Sequence, residues 1–207
     1  MNVLLINGSP HPKGCTYTAL NMVAAQLEKN GLSTRMLHVG NKAVHGCMAC
    51  GKCAETGQCV FTDDPVNEAI GLLLEADALV VGSPVYYAGP NGALCAFLDR
   101  VFFMRNELYA FKPAAAVVSC RRGGASASFD RLNKYFTIAR MPVVSSQYWN
   151  SVHGNTPEEV LQDKEGLQTM RTLGDNMAWL VKCIAAGKAA GINRPVMEPW
   201  EPTNFIR

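Results

Sequence analysis

Five short apolar runs, each set between segments of helical periodicity, divide this chain, and strands buried on both faces of a parallel sheet read in that way. The expected strands are Val3 to Ile6, Leu32 to Val39, Asp77 to Gly82, Pro113 to Ser119 and Met141 to Ser145. Between them the spacing of apolar residues predicts helices over Thr16 to Asn30, from Asp63-Asp64-Pro65 to about Glu75, over Asn91 to Arg105 and over Ser126 to Arg140. A longer helix from about Glu165 to Ala190 follows. The first helix carries Leu20, Val23, Ala24 and Leu27 on one face and is closed by Gly31, at a position where a left-handed residue ends a helix. Repeated β-α units of this length imply an α/β fold, a three-layer open sheet with helices on both faces. Ligands of such sheets bind outside the carboxyl ends of the strands, so the loops after strands one, three and four are expected to carry the function.

Composition narrows the class further. The 207 residues are 48% hydrophobic and 17% charged with a formal net charge of +2, which disfavours disorder, collagen and a basic nucleic-acid binder. One domain over residues 1–190 is expected, followed by a tail over 191–207 that Pro195, Pro199 and Pro202 keep out of regular structure. The apolar runs are too short to cross a membrane. Met1 to Ile6 lacks a basic flank and is cut off by Asn7-Gly8-Ser9-Pro10, so no signal peptide is expected. The expectation is a soluble, cytoplasmic protein in a reducing compartment, where clustered cysteines serve metal or redox chemistry more often than disulfides.

Three loops carry the chemistry. Gly8-Ser9-Pro10-His11-Pro12-Lys13-Gly14-Cys15-Thr16 opens a helix after a buried strand, which aims backbone N–H groups and a positive helix end at one place suited to a phosphate. Ser9 and Thr16 can donate hydroxyls and Lys13 can add charge, although neither the P-loop nor the dinucleotide fingerprint is present. Pro84-Val85-Tyr86-Tyr87 lies in a stiff stretch of prolines and glycines after the third strand, able to hold a planar heteroaromatic ring by its face and its edge. Arg121-Arg122-Gly123-Gly124 follows the fourth strand and can stabilise negative charge, as on a reduced flavin.

Four of the eight cysteines fall within thirteen residues, as Cys47-x2-Cys50-x2-Cys53-x5-Cys59. Four thiolates are the number that a [4Fe–4S] cluster needs, and the spacing is compatible with one. Zinc is the competing metal, for which the first three cysteines are crowded. Thiols that merely pack the loop, reduced or partly disulfide-bonded, are the third reading. Cys95 and Cys183 are expected to be small core residues.

Taken in order, Gly8-Ser9-Pro10…Gly14-Cys15-Thr16, the cysteine run into Asp63-Asp64, Gly82-Ser83-Pro84-Val85-Tyr86 and Phe97-Leu98-Asp99-Arg100 resemble the NADPH-dependent FMN reductase family of flavodoxin-like proteins, and most of all its iron–sulfur flavoprotein branch. The likeness runs to about residue 155, with Tyr148 to Gly154 as its last landmark. It implies a flavodoxin-like fold of five parallel strands in the order 2-1-3-4-5 with FMN at the strand ends. Ser9, His11, Lys13, Gly14, Cys15 and Thr16 would hold the FMN phosphate, Pro84 to Tyr87 would line the isoalloxazine ring, and Arg121 to Gly124 would close over it. Position 15 is often Asn in the family and is Cys here, so only a main-chain contact carries over. The family implies electron transfer from NAD(P)H to a small acceptor such as a quinone, nitroaromatic compound or free flavin. The iron–sulfur branch implies instead a relay between a ferredoxin-like donor and FMN through a [4Fe–4S] cluster on Cys47, Cys50, Cys53 and Cys59. A homodimer or homotetramer is implied too. Asp99-Arg100 is expected to form an intramolecular ion pair, and His153 to lie near the ring or at a subunit contact. A binding domain without redox chemistry is the remaining alternative.

Overall fold

The computed structural model describes residues 1–199 and 201–203. Its strands are β1 (Asn2–Asn7), β2 (Ser33–His38), β3 (Ala78–Tyr86), β4 (Gly89–Pro90), β5 (Ala114–Cys120) and β6 (Ser151–His153). The helices are α1 (Cys15–Lys29), α2 (Lys52–Thr56), α3 (Val66–Glu75), α4 (Gly92–Arg105), α5 (Ala125–Ile138), α6 (Pro157–Val160) and α7 (Lys164–Ala189). A 3-10 turn over Asn106–Tyr109 follows α4.

Five strands run parallel in the order β2-β1-β3-β5-β6, and β4 is a two-residue antiparallel partner of β3. This is the expected flavodoxin-like order with one hairpin added. Alternation along the strands divides the core in two. Leu4, Ile6, Leu79, Val81, Ala116 and Val118 face α3, α4 and α5, while Val3, Leu5, Val80, Ala115 and Val117 face α1 and α7. β5 is buried along its whole length, as a central parallel strand covered on both faces must be.

The expected strand over Met141 to Ser145 is not formed; β6 is eight residues further on than that segment's Val143. Pro142 has no N–H for a ladder. That segment makes one bridge, Ala114 with Val143, in which the Ala114 N–H donates to Pro142 at 2.9 Å and the Val144 N–H to Ala114 at 2.8 Å. The chain then swings out and returns at Asn150, whose carbonyl accepts the Val118 N–H at 2.9 Å. Across the gap the buried Asn150 carboxamide donates to the Ala116 carbonyl at 3.1 Å, so a side chain supplies the hydrogen bond that a continuous strand would give. Three smaller differences follow from local rules. The cysteine loop contains α2, begun and ended by Gly51 and Gly57 in left-handed conformations. α6 starts at Thr156, whose hydroxyl accepts the Glu159 N–H at 3.3 Å. Cys183 is exposed on α7 rather than part of the core. Beyond α7, residues 192–199 and 201–203 take no regular element, and positions 200 and 204–207 of the expected tail lie outside the described residues.

Candidate functional site

The first loop is shaped by side chains on either side of it. Asn7 ends β1, and its carboxamide accepts the Ser9 N–H at 3.1 Å and donates to the Pro12 carbonyl at 3.3 Å, closing the loop as an Asx turn does. Ser9 Oγ accepts the His11 N–H at 3.1 Å, and His38 Nε2 at the end of β2 lies 2.7 Å from the Ser9 carbonyl oxygen. Thr16 is buried with its hydroxyl 2.8 Å from Ser119 Oγ. Thr16 is thus engaged with Ser119, while Ser9 Oγ acts as an acceptor and keeps its own O–H to donate. The loop also offers an anion its main chain: Gly14 is the N-cap of α1 with no side-chain cap, which leaves first-turn N–H groups to a ligand. His11 and Lys13 are exposed beside it, while Gly14 and Cys15 are half-buried.

The second loop is a hairpin. Tyr86 pairs with Gly89 and Val85 with Pro90, and the turn between them holds Tyr87 at φ +50° and Ala88 at φ +57°, left-handed at both central positions as a twisted two-residue hairpin requires. Tyr86 and Tyr87 are exposed, and Pro84 and Val85 are half-buried. The base of the hairpin is fixed by Ser83 Oγ, which accepts the Asn91 N–H at 3.0 Å. The Asn91 carboxamide in turn caps α4 by accepting the Ala93 and Leu94 N–H groups at 2.8 and 3.2 Å.

The third loop seats against the second. Gly124 has φ +92°, and a Cβ there would lie 2.7 Å from Ala88 Cα and 2.8 Å from Val85 Cγ1. Arg121, Arg122 and Gly123 are exposed above it. The first and third loops meet through Gly154, which donates its N–H to the Cys120 carbonyl at 3.1 Å and accepts from Cys15 Sγ at 3.8 Å. Burial, the largest influence on each, pushes the Cys15 and Cys120 thiols above their ordinary range. His153 ends β6 beside Cys120; its N–H donates to Asp163 at 2.7 Å, and the same carboxylate lies 3.7 Å from its Nδ1. All three expected loops therefore converge at the carboxyl ends of β1, β3 and β5.

Cys47, Cys50, Cys53 and Cys59 line one small pocket together with Phe61, Arg100 and Phe103. All eight cysteines are free thiols. Cys47 and Cys50 are exposed, whereas Cys53 and Cys59 are partly buried and pack against the core. Burial pushes the Cys53 thiol up, and Cys59, Cys50 and Cys47 each add to the effect, so those three lie within electrostatic reach of Cys53. Among the described residues no three His, Cys, Asp or Glu side chains are grouped to hold one metal ion. A cubane places each thiolate on a separate iron rather than drawing all four to one centre, and in number, chemistry and shared pocket these residues suit one.

Arg100 is the residue whose part in this pocket the sequence did not reveal. It forms the expected ion pair, with Asp64, both side chains being buried, but its Nε also donates to Cys59 Sγ at 3.2 Å. Burial alone would lower its pKa; the bonds to Asp64 and Cys59 outweigh that, and the guanidinium is held charged. Asp99 turns the other way, to Arg131 and Tyr135. Asn67, also unforeseen, accepts the Cys59 N–H at 2.7 Å and donates to the Cys59 carbonyl at 2.9 Å. The only sequence signals were an arginine on an apolar helix and an asparagine just after a helix start.

Three loops converging on one end of a five-stranded parallel sheet, with a helix N-terminus among them, define a flavodoxin-like site of the kind that holds FMN. The model of the NADPH-dependent FMN reductase family matches residues 1–156. An iron–sulfur flavoprotein of Methanocaldococcus jannaschii is 32% identical over 195 residues, which cover 89% of this chain and 99% of that protein. One of Methanosarcina thermophila is 30% identical over 176 residues, covering 82% and 90%. Among solved structures, RosB with bound 8-demethyl-8-formylriboflavin-5'-phosphate matches with a TM-score of 0.72 at 15% identity, over 100% of this chain and 93% of that one; at that identity the likeness is one of fold. The chain belongs to the NADPH-dependent FMN reductase family, in its iron–sulfur flavoprotein branch.

Proposed function

We propose that this chain binds FMN at the three loops and passes electrons from NAD(P)H to a small acceptor such as a quinone, nitroaromatic compound or free flavin. The observation that carries this reading is the convergence itself: Thr16 meets Ser119, Gly154 joins Cys15 to Cys120, and Gly124 seats under Ala88. In this reading the first-turn N–H groups of α1 and the Lys13 ammonium bind the phosphate. Val85 and Tyr86 flank the ring, and the hairpin keeps water from one side of it. Arg121 and Arg122 bring positive charge to the edge where negative charge grows on reduction. FMN, when bound, supplies the hydride acceptance and electron release that no side chain here offers.

The cysteine pocket favours a second reading, a relay in which Cys47, Cys50, Cys53 and Cys59 hold a [4Fe–4S] cluster between a ferredoxin-like donor and FMN. A reducing cytoplasm suits either, since it keeps thiols free. A homodimer or homotetramer, with the tail as a contact element, completes the proposal. One experiment separates the readings: purify the full chain anaerobically, measure flavin, iron and sulfide, and compare NADPH with reduced ferredoxin as donor. Bound FMN with NADPH turnover and no iron supports the first reading. About four irons per chain with faster reduction by ferredoxin supports the relay. Colourless protein whose melting temperature does not move on adding FMN removes both.

A further inference from the structure

We infer that Arg100 is the positioning residue of the cysteine pocket, holding Cys59 toward it and raising the reduction potential of the cluster that the thiolates carry; this rests on the relay reading above. Arg100 stands on α4 with its side chain 1% exposed. Besides Asp64 and Cys59 Sγ it donates to the carbonyls of His45 at 3.3 Å and Phe61 at 3.4 Å. Its guanidinium also lies 5.1 Å from the centre of the Phe61 ring, which stacks on His45 at 4.3 Å. His45 precedes the first cysteine, and Phe61 and Asp64 follow the last. One side chain therefore ties the entry and the exit of the loop to a rigid helix, using the planar fork of donors that only arginine has.

Asp64 alone would neutralise the buried charge. The Nε–H aimed at Cys59 Sγ, 3.2 Å away, is not needed for that, and N–H groups directed at ligating sulfur raise a cluster's reduction potential. With the two bonds from Asn67 to the Cys59 main chain, both the backbone and the thiol of this cysteine are fixed. Cys47 and Cys50, by contrast, stand exposed.

The test uses the full chain with flavin and cluster loaded under anaerobic conditions. Wild-type protein must first hold about four irons per chain; if it holds none, the relay reading fails and takes the inference with it. Given a loaded wild type, Arg100→Lys keeps a cation for Asp64 but has no Nε–H for Cys59. It is expected to release iron to a chelator about tenfold faster and to lower the cluster's midpoint potential while the flavin's stays in place. Wild-type release and wild-type potential together overturn the inference. Should Arg100→Lys not fold, the double variant Asp64→Asn/Arg100→Gln removes both buried charges together, leaving the net charge as it was, and has no guanidinium Nε–H for Cys59, so the cluster potential is expected to fall and iron release to quicken. A wild-type potential and wild-type iron release in that variant overturn the inference equally, because a merely structural ion pair would alter stability alone when both its charges are removed together.

Discussion

A methyl group at Gly8 would meet Leu94 Cδ2 at 2.4 Å and the Gly82 carbonyl oxygen at 2.9 Å. The leucine tip can turn away, but the carbonyl cannot retreat, because it accepts the Gly8 N–H at 2.9 Å. Gly8→Ala is therefore expected to destabilise the fold by about 1–3 kcal/mol and to weaken FMN binding together with it. Urea unfolding and a flavin titration check both, and a variant with wild-type stability and affinity would show that the first loop is not closed against β3. The sequence marks Gly8 as a turn residue but not as a contact between two strand ends. Arg100 was legible to a similar depth: an ion pair could be expected from Asp99-Arg100, whereas the partner thiol lies 41 residues away. Local patterns carry no information about which of four cysteines a helix will reach. The same distance hides the partner of Thr16, since Ser119 is 103 residues from it.

Among the elements, α1 and α3 to α5 lie within a few residues of their expected bounds because each has an apolar stripe that must find the sheet. The short α2 and β4 had no such signal. A five-residue helix between glycines and a two-residue strand bury too little to print a period in the sequence, and turn chemistry decides them instead. In the hairpin that chemistry is unfavourable: Tyr87 and Ala88 occupy left-handed positions that ordinary side chains resist by about 1–2 kcal/mol each. Ala88→Gly relieves one of these, and the melting temperature of the flavin-free protein should rise by roughly 2–4 °C, net of the added freedom of the unfolded chain. No rise in a calorimetric scan would mean that the hairpin stores no strain.

On the scale of the whole molecule, the described part of the tail leaves Ile192 and Val196 71% and 97% exposed, and α7 presents Trp179 at 67%. Apolar side chains exposed in this way are what a second copy of the chain would cover in the proposed assembly. Deleting residues 192 to 207 is expected to lower the mass measured by light scattering, and a truncated chain that keeps the native mass would remove the tail from the assembly. The parallel sheet was legible from the β-α repeat and its strand order from the family resemblance, but the place of the last strand was not, because the chain leaves the sheet after Val144 and rejoins it at Asn150, by main-chain bonds and the Asn150 carboxamide together. That diversion also bears on how this surface meets other molecules. A sheet edge with an uninterrupted row of free N–H and C=O groups invites foreign strands to add to it. Here the outermost strand touches the sheet at Val143 and again only from Asn150 onward, so the edge offers no long template for misassembly. The excursion between those two anchors is also the stretch of chain where insertions of new sequence should be tolerated without disturbing the register of the strands beneath.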